Sequence, residues 1–158
     1  MSNKKFIESI PVGPLAIVAL PGSKALGDKV DAYISGWRSE RLEAKESPIT
    51  FKGYVKDSYL LNVSVPRFGT GEAKCALKDT VRGCDLYIID DVTNHSIEYT
   101  VCGQKNHMSP DDHYADIKRV IAAASGKARK ITVIMPFLYE SRQHRRSSRE
   151  SMDCAVML

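Results

Sequence analysis

The sequence predicts an α/β domain with a mostly parallel central sheet flanked by helices, and three observations predict it. Three short apolar runs, LAIVAL (15–20), DLYIID (85–90) and ITVIM (131–135), are bounded by Pro, Gly or charged residues, as buried parallel strands are. A glycine turn and a helical apolar period follow the first run, and a well-capped helix separates the second from the third. The 158 residues, 43% hydrophobic and 27% charged, suit one such domain with one core.

In chain order, LAIVAL lies between Pro14 and Pro21-Gly22 and reads as the first strand. Ser23 can cap the next helix, where Leu26, Val30, Tyr33, Ile34 and Trp37 recur at helical spacing and imply one apolar face. From Arg38 to Ser58 the chain is polar with isolated apolar residues and reads as a loop or irregular strand. YLLNVSV (59–65) is β-rich, PRFGTGE (66–72) turns through Gly69 and Gly71, and 73–77 is expected to return as its hairpin partner.

DLYIID is expected to be a central parallel strand ending at Asp90-Asp91. After a polar stretch, Ser109-Pro110-Asp111-Asp112 signals a helix start: a capping serine, a proline in the first turn, and carboxylates at the positive dipole end. Tyr114, Ile117, Ile121 and Ala124 then share a face, and Gly126 stops the helix. ITVIM reads as another buried strand and leads into an arginine-rich loop. The last ten residues turn helical, with Met152, Ala155, Val156 and Met157 on one side. So short an apolar face needs more length or packing, so the chain reads as one domain, 1–158, of a longer protein.

Composition narrows the function classes. Lys plus Arg number 23 against 19 for Asp plus Glu, and a net charge of +4 spread over a domain names no partner. The longest apolar run, Leu15 to Leu20, is too short to cross a bilayer, so no membrane association is expected. Cys75, Cys84, Cys102 and Cys154 lack CxxC spacing and no signal peptide precedes them, which suits a reducing cytoplasm.

The loop ESRQHRRSSRE (140–150) concentrates Arg142, Arg145, Arg146 and Arg149 directly after a strand, where open α/β sheets place their ligands. Guanidinium forks match phosphate oxygens, so an anion is the natural ligand; a solvated charged loop is the competing reading. PRFGTGE lets a ligand approach its glycines but matches neither GxGxxG nor GxxxxGK[ST], and alone it reads more simply as a hairpin turn. Asp90 and Asp91 sit where a metal- or ribose-binding acidic pair could stand, yet Thr93-Asn94-His95-Ser96 supplies no glycine, so they read as strand-end and loop residues. Cys102, His107 and His113 do not follow zinc spacing. HExxH, GxSxG and a convincing nucleophilic triad are missing, so nucleophilic catalysis is not indicated.

Taken together, RFGTGE, VRGCDLYII and PFLYESRQHRRSSRE resemble, in order and approximate spacing, the RFSDGE hairpin, the VRGxDVYIV strand and the PYxPYARQDRKxxSRE loop of ribose-phosphate pyrophosphokinases. GSKALGDKV resembles that family's first helix, and the resemblance runs from Leu15 to Leu158. It implies a phosphoribosyltransferase-like N-terminal domain, the first half of a two-domain enzyme that transfers the diphosphoryl group of ATP to ribose 5-phosphate with magnesium. It further implies that Phe68 and Glu72 hold the adenine of a neighbouring subunit, that Arg142 and Gln143 contact nucleotide, and that Arg145, Arg146, Ser148 and Arg149 bind a phosphate or allosteric anion. The partners implied are ATP, ribose 5-phosphate through a second domain, and further copies of the chain. Magnesium ligands and the catalytic loop would lie outside these residues, leaving this part inactive alone.

Departures from the family pattern are Thr70 for the expected Asp, His144 for Asp, and altered spacing around Arg142 and Ser148. They favour an alternative reading, a regulatory paralogue that modulates a true synthetase without catalysis. Nucleic-acid binding by the arginine loop is disfavoured, because Tyr139 is the single aromatic nearby.

Overall fold

The structure, a computed structural model, describes residues 11–44 and 51–157. Strand β1 (Leu15–Ala19) leads through one 3₁₀ turn (Pro21–Ser23) into helix α1 (Lys24–Glu43). The chain then forms β2 (Val63–Ser64), β3 (Ala76–Leu77), β4 (Asp85–Ile89), β5 (Glu98–Val101), β6 (Gln104–His107), α2 (Pro110–Ala124), β7 (Lys130–Ile134) and a last short helix α3 (Asp153–Met157).

The central sheet has the order β1-β4-β7, parallel throughout, as the apolar runs predict. Beyond β1, the Ile17 N–H donates to the Tyr59 carbonyl and the Leu61 N–H to the Ile17 carbonyl, each at 2.8 Å, so 59–61 forms a short parallel edge. Side-chain alternation divides the core. Ala16, Val18, Leu86 and Ile88 face Ile117, Val120 and Ala124 of α2, whereas Ile17 and Ile89 face Val30 and Ile34 of α1. The two helices therefore cover opposite faces, and the connections leaving β1 and β4 run in opposite directions across the sheet.

Several expectations are corrected. Helix α1 runs to Glu43, well into the segment read as a loop from Arg38; residues 45–50 of that segment lie outside the described residues. Its buried positions are Gly27 and Asp31 rather than the large apolar residues: Tyr33 is 73% exposed and Leu26 and Trp37 are also exposed. Gly27 lets α1 lie against Ala19, where a Cβ would collide with that side chain, and Asp31 accepts the Tyr59 N–H at 2.6 Å. On α2 the buried stripe includes His113 and Asp116, and Ile121 is exposed. Strand β7 is half-buried because it forms the sheet's edge, with Ile134 exposed.

The expected hairpin is present: β2 and β3 pair antiparallel and Arg67 bridges Ala73 nearer the tip. The polar stretch after Asp91 holds a second hairpin, β5–β6, turning through Cys102 (φ 48) and Gly103 (φ 82). Two successive positive φ values are those of a tight I′-type turn. Helix α3 is shorter than the ten residues expected, and Leu158 lies outside the described residues. Among the described residues no helix is long and apolar enough to cross a membrane.

Candidate functional site

The tip of the β2–β3 hairpin is closed by its own backbone. The Phe68 N–H donates to the Glu72 carbonyl at 2.7 Å and the Gly71 N–H to the Phe68 carbonyl at 2.9 Å, with Gly71 at φ 91. This turn leaves the Phe68 ring 49% exposed and Glu72 exposed beside it. The Thr70 hydroxyl donates to Glu72 Oε2 at 3.0 Å, so the carboxylate keeps its other oxygen for a ligand.

Arg67 fixes this tip to the domain. Its guanidinium donates to Asp116 Oδ2 at 2.8 Å and to the Gly71 carbonyl at 3.3 Å, stands 3.7 Å from Asp112 Oδ1, and lies 4.7 Å over the Tyr99 ring. Asp116, 2% exposed, also accepts from Arg119. Burial pushes the Asp116 carboxyl above the usual carboxylate range despite both arginines. The second hairpin adds a strut, the Cys102 N–H donating to the Gly69 carbonyl at 2.9 Å.

The arginine loop is anchored to the same helix. Tyr139 is buried and stacks on Tyr114 at 4.3 Å with the rings 8° apart, and its hydroxyl donates to Asp111 Oδ1 at 2.6 Å. Burial and the Asp111 charge push the phenol far above its ordinary value, so it stays a donor. Asp111 thus holds the loop while Asp112 and Asp116 hold the hairpin, and α2 positions both. The helix start is rigid because Ser109 and Asp112 form a capping box.

Arg142 is exposed and, with Val92, Thr93, Pro110, Phe137 and Tyr139, lines a cavity of about 160 Å³ at the C-terminal edge of β4 and β7. Gln143 closes the loop instead of projecting from it: its Nε2 donates to the Ser151 carbonyl at 2.7 Å, and its own carbonyl accepts from the Cys154 N–H at 3.2 Å. Arg145, Arg146, Ser148 and Arg149 are all exposed, and the salt bridges among the described residues involve none of the loop's four arginines. Hydrogen bonds from the Ser147 N–H and Ser148 hold the Glu150 carboxyl below its ordinary value, so the loop's other end is negative. Among the described residues no hydrogen bond or ion pair joins Phe68 or Glu72 to Arg142 or Gln143.

Sequence reasoning missed a buried pair. Asp90, fully buried, faces His113 Nδ1 at 2.9 Å, and His113 Nε2 faces the Asn94 carbonyl at 2.9 Å. Burial alone would disfavour the imidazolium, but the hydrogen bond and charge of Asp90 outweigh it and raise the His113 pKa above 6.5. His113 falls on the same helical stripe as Asp116, Ile117 and Val120, and that spacing is the signal that could have placed it inside. Among the described residues no three His, Cys, Asp or Glu side chains converge to hold a metal ion.

Three comparisons bear on this geometry. The family model described as the N-terminal domain of ribose phosphate pyrophosphokinase matches residues 15–158. Ribose-phosphate pyrophosphokinase 5 of Schizosaccharomyces pombe is 32% identical over 82 residues, a stretch covering 51% of this chain and 20% of that protein. The crystal structure of phosphoribosylpyrophosphate synthetase from Mycobacterium smegmatis superposes with a TM-score of 0.58 at 17% identity, covering 90% of this chain and 37% of that one. The chain thus spans about a fifth of the first relative's length and just over a third of the second's.

Proposed function

The chain belongs to the ribose-phosphate pyrophosphokinase family, as its N-terminal domain, and from that premise we propose that it supplies the ATP-side half of a site that forms phosphoribosyl pyrophosphate and AMP from ATP and ribose 5-phosphate. The cavity that Arg142 lines carries the proposal. It lies at the C-terminal edge of a parallel sheet, is walled by the start of α2, and is lined by Arg142, which forms no salt bridge among the described residues, together with Glu140. At about 160 Å³ it is smaller than the roughly 300–1,000 Å³ that encloses a small-molecule ligand, so it suits a half-site completed by another domain or copy.

Each residue has a chemical role in this reading. Arg142 neutralises charge on the phosphates, Phe68 stacks on the purine of a nucleotide held by a neighbouring copy, and the free Glu72 oxygen accepts from its exocyclic amine. Arg145, Arg146, Ser148 and Arg149 present donors to a further phosphate group. Gln143 orders the loop through Ser151, so its contribution to nucleotide is positional. In this reading the magnesium of the reaction would be held by parts of the whole protein outside these residues, and no step here is routed through it. The isolated domain is accordingly inactive, and the working protein is a homo-oligomer in the cytoplasm.

Two observations favour a second reading, a regulatory paralogue: Thr70 occupies one Glu72 oxygen, and Gln143 is committed to Ser151. Assaying the whole protein with ATP and ribose 5-phosphate separates the two. AMP formation supports the enzyme; a silent protein that changes the rate of a catalytically competent family member supports the paralogue. Photolabelling with 8-azido-ATP is expected to mark the peptide 66–72 and to be suppressed by excess ATP. Saturable labelling that spares this peptide would remove the hairpin from the site.

A further inference from the structure

The β5–β6 hairpin lies against the tip of the β2–β3 hairpin, and β5 supplies the surface. Tyr99 and Val101 stand two residues apart and so share a face of that strand, both half-buried, while Thr100 between them is exposed. They meet the tip at Gly71: a Cβ there would stand 3.1 Å from Val101 Cγ2 and 3.7 Å from Tyr99 Cε2. Gly71 thus holds φ 91 and also leaves room for β5 to pack on its bare Cα.

The turn after β5 adds a directed bond. Val101 pairs with Gln104, so the N–H of Cys102 lies outside the ladder. It donates instead to the Gly69 carbonyl at 2.9 Å, across 33 positions of sequence. Cys102 holds φ 48, a left-handed conformation that its Cβ disfavours. A non-glycine residue kept in that conformation persists where its surroundings over-determine it, and here the surroundings include the other hairpin.

The platform is itself fastened to α2. The Tyr99 hydroxyl donates to Asp112 Oδ2 at 3.1 Å, the oxygen that also accepts from the Ser109 N–H in the capping box. Burial and the Asp112 bond push the Tyr99 phenol above its ordinary value, so it stays a donor. At the foot of the hairpin the Met108 N–H donates to the Ile97 carbonyl at 2.8 Å, and Met108 is buried. The Arg67 guanidinium lies 4.7 Å over the Tyr99 ring, so the ring holds Arg67 from one side while Asp116 holds it from another.

These contacts fall on Arg67, Gly69 and Gly71, the backbone positions interleaved with Phe68 and Glu72. Any displacement of Gly69 or Gly71 therefore changes the spacing between the Phe68 ring and the Glu72 carboxylate. We propose that Tyr99, Val101 and the Cys102 N–H are positioning groups that set this spacing, and with it the affinity of the tip for a purine nucleotide, without touching the nucleotide themselves. The role rests on the nucleotide reading of the hairpin and extends it to a second hairpin.

The test is the 8-azido-ATP concentration that half-saturates labelling of peptide 66–72 in the whole protein, measured beside the Tm of each variant. Tyr99→Leu removes both the ring and the hydroxyl and is expected to raise that concentration roughly tenfold; Val101→Ala, which removes two methyl groups, is expected to raise it roughly three- to fivefold. Tyr99→Phe keeps the ring beneath Arg67 and is expected to recover most of the loss. Thr100→Ala, on the exposed face of β5, is expected to change nothing. Where AMP forms, the KM for ATP is expected to rise by the same factors with kcat held within about twofold, the mark of a group that acts on binding. Val101→Ala reports on the tip even if Tyr99→Leu fails to fold. Saturable labelling with the same half-saturation in Val101→Ala, Tyr99→Leu and the unaltered protein would overturn the positioning role and leave the nucleotide reading standing. A fall in kcat at constant KM would overturn it as well. Labelling of the unaltered protein that spares 66–72 would remove the hairpin from the site, and the positioning role with it.

Discussion

Removing the Arg67 side chain tests how the hairpin is held. The guanidinium is 10% exposed and touches four groups, of which the Asp116 contact at 2.8 Å is the closest. Deleting one partner of a buried pair costs about 3–5 kcal/mol when the remaining charge is stranded. Asp116 is not wholly stranded, because Arg119 remains and burial already biases its carboxyl toward the neutral form. The loss then approaches that of one charged hydrogen bond plus a cation–π contact, about 2–3 kcal/mol. For a domain of this size that corresponds to a fall in Tm of roughly 4–12 °C.

The Arg67→Ala loss carries a pH signature. Without Arg67, the folded-state Asp116 pKa rises further above its unfolded value, so the variant gains relative stability as pH falls toward the carboxylate range. Urea denaturation followed by circular dichroism at pH 5 and pH 8 is expected to show a smaller gap at pH 5. A loss below about 0.5 kcal/mol, typical of a surface substitution, or a gap independent of pH, would refute the clamp.

Two further substitutions probe the braces beneath the sheet's C-terminal edge. Because the folded His113 pKa is raised, its pair with Asp90 contributes stability that is complete below about 6.5 and is lost as pH climbs through the raised value. His113→Gln is expected to flatten that decline in a denaturant series; an unchanged pH profile would mean that His113 is neutral throughout. Gly22→Ala is expected to cost about 1–3 kcal/mol by driving a methyl into Asp90 and His113. Gly36→Ala, within α1 and facing open space, is expected to gain roughly 0.5–1 kcal/mol, and thermal melts that rank the two alike would contradict the packing.

The fold was legible where burial is uniform and capping explicit. LAIVAL and DLYIID are strands because both sheet faces are covered, and Ser109-Pro110-Asp111-Asp112 starts α2 because its cap can form only at a helix end. Legibility failed where polar or small residues do the packing. Helix α1 turns Gly27 and Asp31 inward beside Val30 and Ile34 and leaves Leu26, Tyr33 and Trp37 exposed, so apolar spacing found only part of the stripe that meets the sheet. The β5–β6 hairpin carries no apolar alternation and turns on Cys102-Gly103 rather than Asn-Gly.

The candidate site shows the same division. Phe68, Glu72 and Arg142 are exposed where a ligand can reach them, and their positions follow motifs visible in the sequence. The residues that place them, Arg67, Tyr139, Asp111 and Asp116, lie up to 72 positions apart in the chain and meet only through α2. No local pattern announces such a meeting, and Gln143 turns inward because Ser151, eight residues on, offers its carbonyl.

Calorimetric titration of this chain with ATP and ADP, alongside Arg142→Ala, asks whether the arginine loop holds nucleotide. Saturable binding by the unaltered domain is expected, and its loss in the variant with no change in Tm, because Arg142 is exposed and forms no ion pair among the described residues. Binding of equal strength with and without the Arg142 guanidinium would contradict a nucleotide half-site in the arginine loop.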